Sequence, residues 1–512
     1  MRCIDGEVIS APSLRVKERR LMVKHALNAF FNPKSIAVIG ASSQLMKWGF
    51  LILHNLVRGG YKGRLYPINR KEKEIFGIKA YPDVKSVGRQ LDLVVVIVPA
   101  HAVPQVLREC AEVGVKYAII IAGGFSETGV SGRNLQEEMV DVAKSSGIRL
   151  VGPNTMGMYS STSNLTILMP PIPLRPGNIG FLSESGNLGT TMMQSGIVNG
   201  LGFSRYVSVG NQADMKIYEF LEFLADDKAT EAILIYGEGL GKGREFLDVA
   251  KWVTRKKPVV VYKSGRSEAG AKAAVSHVGA MVGSDRLYDS AFRQIGVVRA
   301  ERSVEMVDMI SVLSRQPLPK GNKIGILTYG GGWGVIASDF CGIYGLEVPP
   351  LSSELVKEMD KFMPPHWSKG NPIDTVGTLD GTIFRRAIET VLESDDIDGL
   401  LVLGIGGFSF FIHYYRTFSL LTNRQLSEMK VALCDSETQI AKDLVELIDK
   451  YNKPIIVTSM ADVAMSDAAR VLEDNGITNI PSPERGAKAM ASLVDYSEYL
   501  RGLGKRKRKG KK

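Results

Sequence analysis

The sequence predicts an α/β protein built from three successive parallel-sheet units. Short β-branched runs alternate with helical stretches along nearly the whole chain, which is the rhythm of parallel strands joined by crossover helices. Two segments rich in Pro and turn residues interrupt it, and after each the same layout restarts: a strand, a Gly- or Ser-rich turn, then a helix. At 512 residues and 45% apolar content the chain can bury several separate cores.

Residues 1–30 read as a basic extension (VKERRLMVKHALNAFF) ending in one amphipathic helix. The first unit, 31–160, opens on the strand SIAVIGAS, continues with a helix near 48–58 and the strands GRLYPIN, LDLVVVIV and YAIIIAGG, and closes on RLVGPNTMG. The turn-rich stretch STSNLTILMPPIPLRPG, 162–177, marks a boundary. A second unit, 176–315, begins with NIGFLSESGNLG and carries strands at FSRYVSVG, EAILIYGEG and KPVVVYKSG. SRQPLPKGNK breaks the pattern again, and KIGILTYGGGWGV opens a third unit, 320–490. Residues 500–512 form a basic tail.

Composition removes several function classes. Seven of the ten net positive charges sit in the last eight residues, leaving only +3 for the rest, so the tail reads as a solvated run and no nucleic-acid partner is expected. The four cysteines, Cys3, Cys110, Cys341 and Cys434, lack metal-ligand spacing and fit a reducing cytoplasm. The apolar run LVVVIVPA is far shorter than the roughly 20 residues that span a bilayer, and no membrane partner is expected.

In an open parallel sheet ligands bind outside the carboxyl ends of the strands, where a turn-to-helix junction offers backbone N–H groups and a positive helix end. Three junctions fit. VIGASSQLMKWG departs from G-x-G-x-x-G, because Ala41 to Trp48 separate Gly40 from Gly49. The next strand ends in Asn69-Arg70-Lys71, basic where NAD would require a carboxylate, which favours a phosphorylated ribose as in CoA or NADP. In the second junction, Ser183-Glu184-Ser185-Gly186, the serines serve equally as helix caps or phosphate contacts. The third, Gly330-Gly331-Gly332-Trp333-Gly334, carries more glycine than a cap requires.

Of six histidines, His277 alone sits among small residues, AAVSHVGA, read as a mobile loop on which an imidazole could accept a phosphoryl group. By spacing alone a surface or hydrogen-bonded structural histidine is the commoner case. Glu238 in IYGEG follows a strand, where its carboxylate could orient an imidazole or be merely solvated.

Ordered together, VIGAS, YPINRKEKEIFGIKAYPDV, VVIVPA, IIIAGGFSETG, GPNTMG, LSESGNLG, YGEG, KSGRSEAGAKAAVSHVGAMVGSD, TYGGGWGV and NPIDTVG resemble the α subunit of ADP-forming acyl-CoA synthetases, within the succinyl-CoA synthetase superfamily, over about 31–490. The resemblance implies a Rossmann-like CoA-binding domain followed by two flavodoxin-like domains. It implies CoA contacts at Gly40, Ala41, Ser42, Ser43, Arg70, Lys71, Pro99, Ala100, Gly123 and Gly124. It implies a phosphohistidine at His277, oriented by Glu238, and phosphate contacts at Ser183, Ser185, Gly186, Gly331 and Gly332. The chain departs from the family at Thr155, where Cys is usual, and at Val278, where Thr is usual.

No G-x-x-x-x-G-K-[ST] occurs and no segment resembles an ATP-grasp domain. ATP or ADP and Mg2+ are therefore expected on a partner ATP-grasp β subunit, in an α2β2 assembly, with a small carboxylic acid, CoA and phosphate as the other reactants. No metal site is expected on this chain. A catalytically idle CoA-binding regulator of the same fold is the competing reading.

Overall fold

The computed structural model describes residues 26–241, 243–278, 285–378, 380–407, 412, 414–415, 420–459 and 466–509, with the side chains of 274–278 and 505–509 outside that description. The chain forms two compact units. One holds the described residues up to Ile197 and from Gly202 to Glu301; the other holds Val198–Leu201 and Arg302–Lys505.

The first unit contains two sheets. In one, five parallel strands run in the order β2 (Arg64–Ile68), β1 (Ser35–Ile39), β5 (Leu93–Val96), β6 (Tyr117–Ile120), β7 (Arg149–Val151). A small antiparallel pair, β3 (Glu74–Ile75) and β4 (Ile78–Lys79), follows β2. Every residue of β1 is buried, because alternate side chains enter different cores. Ile36 and Val38 join Leu27, Phe31 and Leu53 on one face. Ala37 and Ile39 join Val103, Leu107 and Met139 on the other.

The second sheet has seven strands, ordered β14 (Val298–Ala300), β13 (Val259–Lys263), β12 (Ala232–Gly237), β10 (Pro176–Ser183), β11 (Phe203–Ser208), β8 (Gly157–Ser160), β9 (Leu165–Leu168). β8 and β9 are antiparallel additions at one edge. The stretch expected as a turn-rich connection thus contains a strand. Its reason is local: Leu165 and Ile167 alternate with Thr166 and are fully buried in the core that also receives Ile36 and Val38. The Asn55 amide, on the helix Trp48–Arg58, donates to the Leu168 carbonyl at 2.7 Å and secures that helix to β9.

The other unit has a parallel sheet ordered β16 (Ile373–Asp374), β15 (Ile324–Thr328), β17 (Gly399–Leu403), β18 (Ile455–Thr458). Leu327, Ile373 and Val402 pack with Phe384 and Leu444 in its core. The basic run does not begin as coil: a helix spans Pro483–Lys509, as Lys and Arg are good helix formers. Among the described residues no helix is long and apolar enough to cross a membrane.

Candidate active site

The strand that opens each sheet unit lies between neighbours that follow it on opposite sides: β1 between β2 and β5, β10 between β11 and β12, β15 between β16 and β17. Each is therefore a switch point, where successive crossovers diverge and leave a crevice at the strands' carboxyl ends. All three Gly- or Ser-rich junctions follow these strands.

At the first crevice Gly40 has φ +95°, and a Cβ there would stand 2.8 Å from the Ile97 carbonyl oxygen, so only glycine fits. Ser42 and Ser43 meet a side chain that sequence reasoning did not single out. The Ser43 backbone N–H donates to both oxygens of Glu72 at 3.1 Å, and the Ser42 hydroxyl donates to Oε1 at 3.4 Å. Asn69 braces this turn by donating to the Ala41 carbonyl at 2.8 Å and by accepting from the N–H groups of Lys71 and Glu72. Hydrogen bonding from Ser43 holds the Glu72 carboxyl below its usual range. Arg70 and Lys71 are exposed.

The ends of β5 and β6 join the same edge. A Cβ on Gly124 would lie 3.1 Å from the Ala100 Cβ, which brings Pro99–Ala100 beside Gly123–Gly124. Here too a carboxylate takes backbone donors: Glu127 Oε1 accepts from the N–H of Gly124 at 2.6 Å and of Phe125 at 3.1 Å. Its Oε2 accepts from the Asn211 amide at 2.5 Å. Burial opposes ionisation of Glu127, but Asn211 and the Gly124 N–H outweigh it and hold the carboxyl low.

The second crevice has a buried floor. Ser183 is fully buried and donates to the Ser185 carbonyl at 2.6 Å; the Ser185 hydroxyl accepts from the Leu188 N–H at 3.4 Å. The helix Gly186–Val198 starts here, and Gly186 gives way to Met156, whose Cγ would lie 2.1 Å from any Cβ. Between the serines, Glu184 turns inward. Its Oε2 accepts from the N–H of Glu238 at 2.5 Å and of Gly239 at 2.8 Å, and its Oε1 accepts from the Gln212 amide at 2.8 Å. Glu238 is itself buried and accepts from the Tyr236 hydroxyl at 3.2 Å.

Lys263, at the end of β13, is buried too. It donates to the Ser264 carbonyl at 2.6 Å and lies 5.1 Å from the Tyr288 ring centroid. Burial pushes the Glu184 carboxyl up against its three donors, and pushes the Lys263 ammonium down while the Glu184 charge opposes that. Glu184 and Lys263 lie inside the motifs LSESGNLG and KSGRSEAG but were not singled out as site residues, and Gln212 lies in none; the one available signal was a carboxylate inside a helix-starting S-E-S-G.

His277 stands in the last turn of the helix Glu268–Val278 rather than in a loop, because the alanines around it favour helix. Its side chain, like residues 279–284, lies outside the described residues. In the other unit the helix Gly331–Ile343 begins at the third junction, where Gly331 and Gly332 are exposed. A Cβ on Gly331 would stand 3.0 Å from Asp374 Oδ2, whereas one on Gly332 would meet nothing within 4 Å, so internal packing does not explain that glycine.

Residues 34–161 match the family model of a CoA binding domain, 176–313 that of a succinyl-CoA ligase like flavodoxin domain, and 324–501 that of a Ligase-CoA domain. The α subunit of acetate–CoA ligase [ADP-forming] I from Pyrococcus furiosus is 39% identical over 483 residues, covering 93% of this chain and 98% of its own. The chain belongs to the family of ADP-forming acetate–CoA ligase α subunits. Its membership is seen in structure as well: the dinucleotide forming acetyl-coenzyme A synthetase 1 of Ca. Korarchaeum cryptofilum, solved with phosphate and ADP, is 36% identical, with a TM-score of 0.81 over 94% of this chain and 98% of that one. Larger members exist, and this ligase subunit spans 64% of the 4-hydroxybutyrate–CoA ligase [ADP-forming] of Nitrosopumilus maritimus, at 32% identity. Nothing among these relatives favours a catalytically idle member.

Proposed function

We propose that this subunit, with an ATP-grasp β subunit in an α2β2 complex of the cytoplasm, interconverts acyl-CoA, ADP and phosphate with a carboxylic acid, CoA and ATP. Phosphate attacks the thioester carbonyl, a C–O bond forms as the C–S bond breaks, and CoA leaves as the thiol. A nitrogen of His277 then attacks the acyl phosphate, releasing the carboxylate and forming an N–P bond. That bond is exchanged for a P–O bond on ADP, which with Mg2+ belongs to the partner.

The observation that carries the reading is the hydrogen bond from the Glu238 N–H to Glu184 at 2.5 Å, through which the helix start at Ser185–Gly186 and the residue assigned to orient the imidazole share one switch point. A helix start there favours a phosphoryl anion, and a buried carboxylate beside it suits an imidazole N–H. For CoA, the Gly40 turn and the Ala100–Gly124 contact supply a close backbone approach, with Arg70 and Lys71 as the exposed cations for its phosphates. Gly331 and Gly332 are the second helix start assigned to phosphate.

The subunit is incubated with acetyl-CoA and radiolabelled phosphate, and separately with its ATP-grasp partner and labelled ATP. One acid-labile label is expected on the wild type and none on His277→Ala. A label that survives the substitution, or none on the wild type by either route, overturns the reading.

A further inference from the structure

We infer that Glu184 is a positioning residue of the phosphoryl-transfer site: its carboxylate ties the helix start at Ser185 to the backbone of Glu238, so that the two hold one fixed geometry. This rests on the reading of His277 and Glu238 given above.

Glu184 is buried, and a carboxylate is retained in such a place only with its oxygens satisfied. Both are: one takes the N–H groups of Glu238 and Gly239, the other the Gln212 amide. With three donors on its two oxygens and its side chain buried it is poorly disposed to touch a reactant, so its effect passes through the groups it holds. Gln212 is fixed in turn, because its Oε1 accepts from the Ile217 N–H at 2.8 Å, which sets which end of the amide faces Glu184. The bonded set therefore runs from the helix Ile217–Asp226 through Gln212 and Glu184 to the strand end that carries Glu238. Buried Lys263 supplies the opposite charge nearby.

This polarity makes a charge-conserving exchange informative. In Glu184→Gln one terminal atom becomes a donor that faces the donor of Gln212, and Gln212 cannot turn over without abandoning Ile217. In Gln212→Glu two carboxylates face each other. In the double variant the amide introduced at position 184 donates to the carboxylate introduced at position 212. That carboxylate still accepts from the Ile217 N–H, and the backbone N–H groups of Glu238 and Gly239 keep an oxygen.

The experiment measures the initial rate of labelling from acetyl-CoA and radiolabelled phosphate, with CoA affinity by calorimetry on the same samples. Each single variant is expected to label roughly ten- to a hundredfold more slowly with CoA affinity retained, and the double variant to recover most of the rate. Singles that label at the wild-type rate, or a double variant no faster than the singles, overturn the inference. Should a single variant not fold, Glu184→Asp keeps the charge and loses one methylene of reach: slower labelling with unchanged CoA affinity supports a positioning role, and a wild-type rate overturns it. A wild type that takes no label lost in His277→Ala would instead sink the underlying reading, leaving the two failures distinguishable.

Discussion

The Thr155 hydroxyl donates to the carbonyl oxygen of Ser208 on β11 and accepts from the Gly157 N–H at 3.0 Å. Thr155 is buried, at 2% exposure, between the end of the first sheet and the edge of the second. The Ser208 hydroxyl answers by accepting from the Met156 N–H at 3.1 Å. This chain thus has at position 155 a hydroxyl that both gives and takes a hydrogen bond, which a thiol does poorly.

Thr155→Ala leaves the Gly157 N–H and the Ser208 carbonyl without that partner, an expected loss of about 1–3 kcal/mol. Thr155→Ser keeps the hydroxyl and is expected to lose less, and Thr155→Cys to fall between. Thermal midpoints followed by calorimetry check the order; a cysteine variant as stable as wild type would mean that the hydroxyl contributes nothing there.

Gly40→Ala places a methyl against the Ile97 carbonyl at a backbone angle only glycine adopts easily. Since neither backbone segment can yield without opening the crevice, CoA affinity is expected to fall at least about tenfold, or 1.4 kcal/mol. Gly60→Ala is the control, for it also has positive φ, +77°, but meets nothing within 4 Å. It is expected to cost about 1–2 kcal/mol of stability and leave CoA binding unchanged. Titration calorimetry of both variants tests the pair.

Glu127 fixes a pH window. Its carboxyl is held below the ordinary 4.5, so its bonds to Gly124, Phe125 and Asn211 stabilise the fold above that value, and the contribution is lost as pH falls through the lowered one. Glu127→Gln is therefore expected to lower the thermal midpoint at neutral pH and to converge on the wild type in acid. Midpoints of the two proteins that stay parallel down to pH of about 3 would remove the charge from the explanation.

The parallel-sheet rhythm was legible because β1, β5 and β15 are buried runs rich in β-branched residues, and β10 ends in the buried apolar stretch IGFL before its turn. Strand β9 was not, since Pro170, Pro171 and Pro173 directly follow it and mask the alternation of Leu165 and Ile167. At the candidate sites, Gly40, Ser183 and Glu238 stand out because they fall at strand ends. The carboxylates Glu72, Glu127 and Glu184 do not, because what distinguishes them is which donors they reach: for Glu72 and Glu184 these are backbone N–H groups brought close by pairings between strands tens of residues apart, and for Glu127 the N–H groups of its own turn together with the distant Asn211 amide. His277 was proposed only as one of the motifs kept in the family's order; small residues that suggested a loop instead build helix, since alanine serves both descriptions.

Glu238 and Glu184 are two buried carboxylates in one site, and the Glu238 charge adds to the cost of ionising Glu184 while buried Lys263 offsets it. A site kept for activity at the expense of stability has a recognisable signature. Glu238→Gln removes one of the like charges and keeps a side-chain oxygen for the Tyr236 hydroxyl at nearly the same place. It should therefore raise the thermal midpoint, by about 2 °C for a domain of this size. The same change takes away the charge that would hold an imidazole N–H, so labelling of His277 should slow by about a hundredfold. A residue that served packing alone would lower the midpoint and leave the labelling rate of the folded protein intact. Calorimetry and the labelling rate, measured on one preparation, separate the two, and a fall in stability with no change in rate would return Glu238 to a structural role.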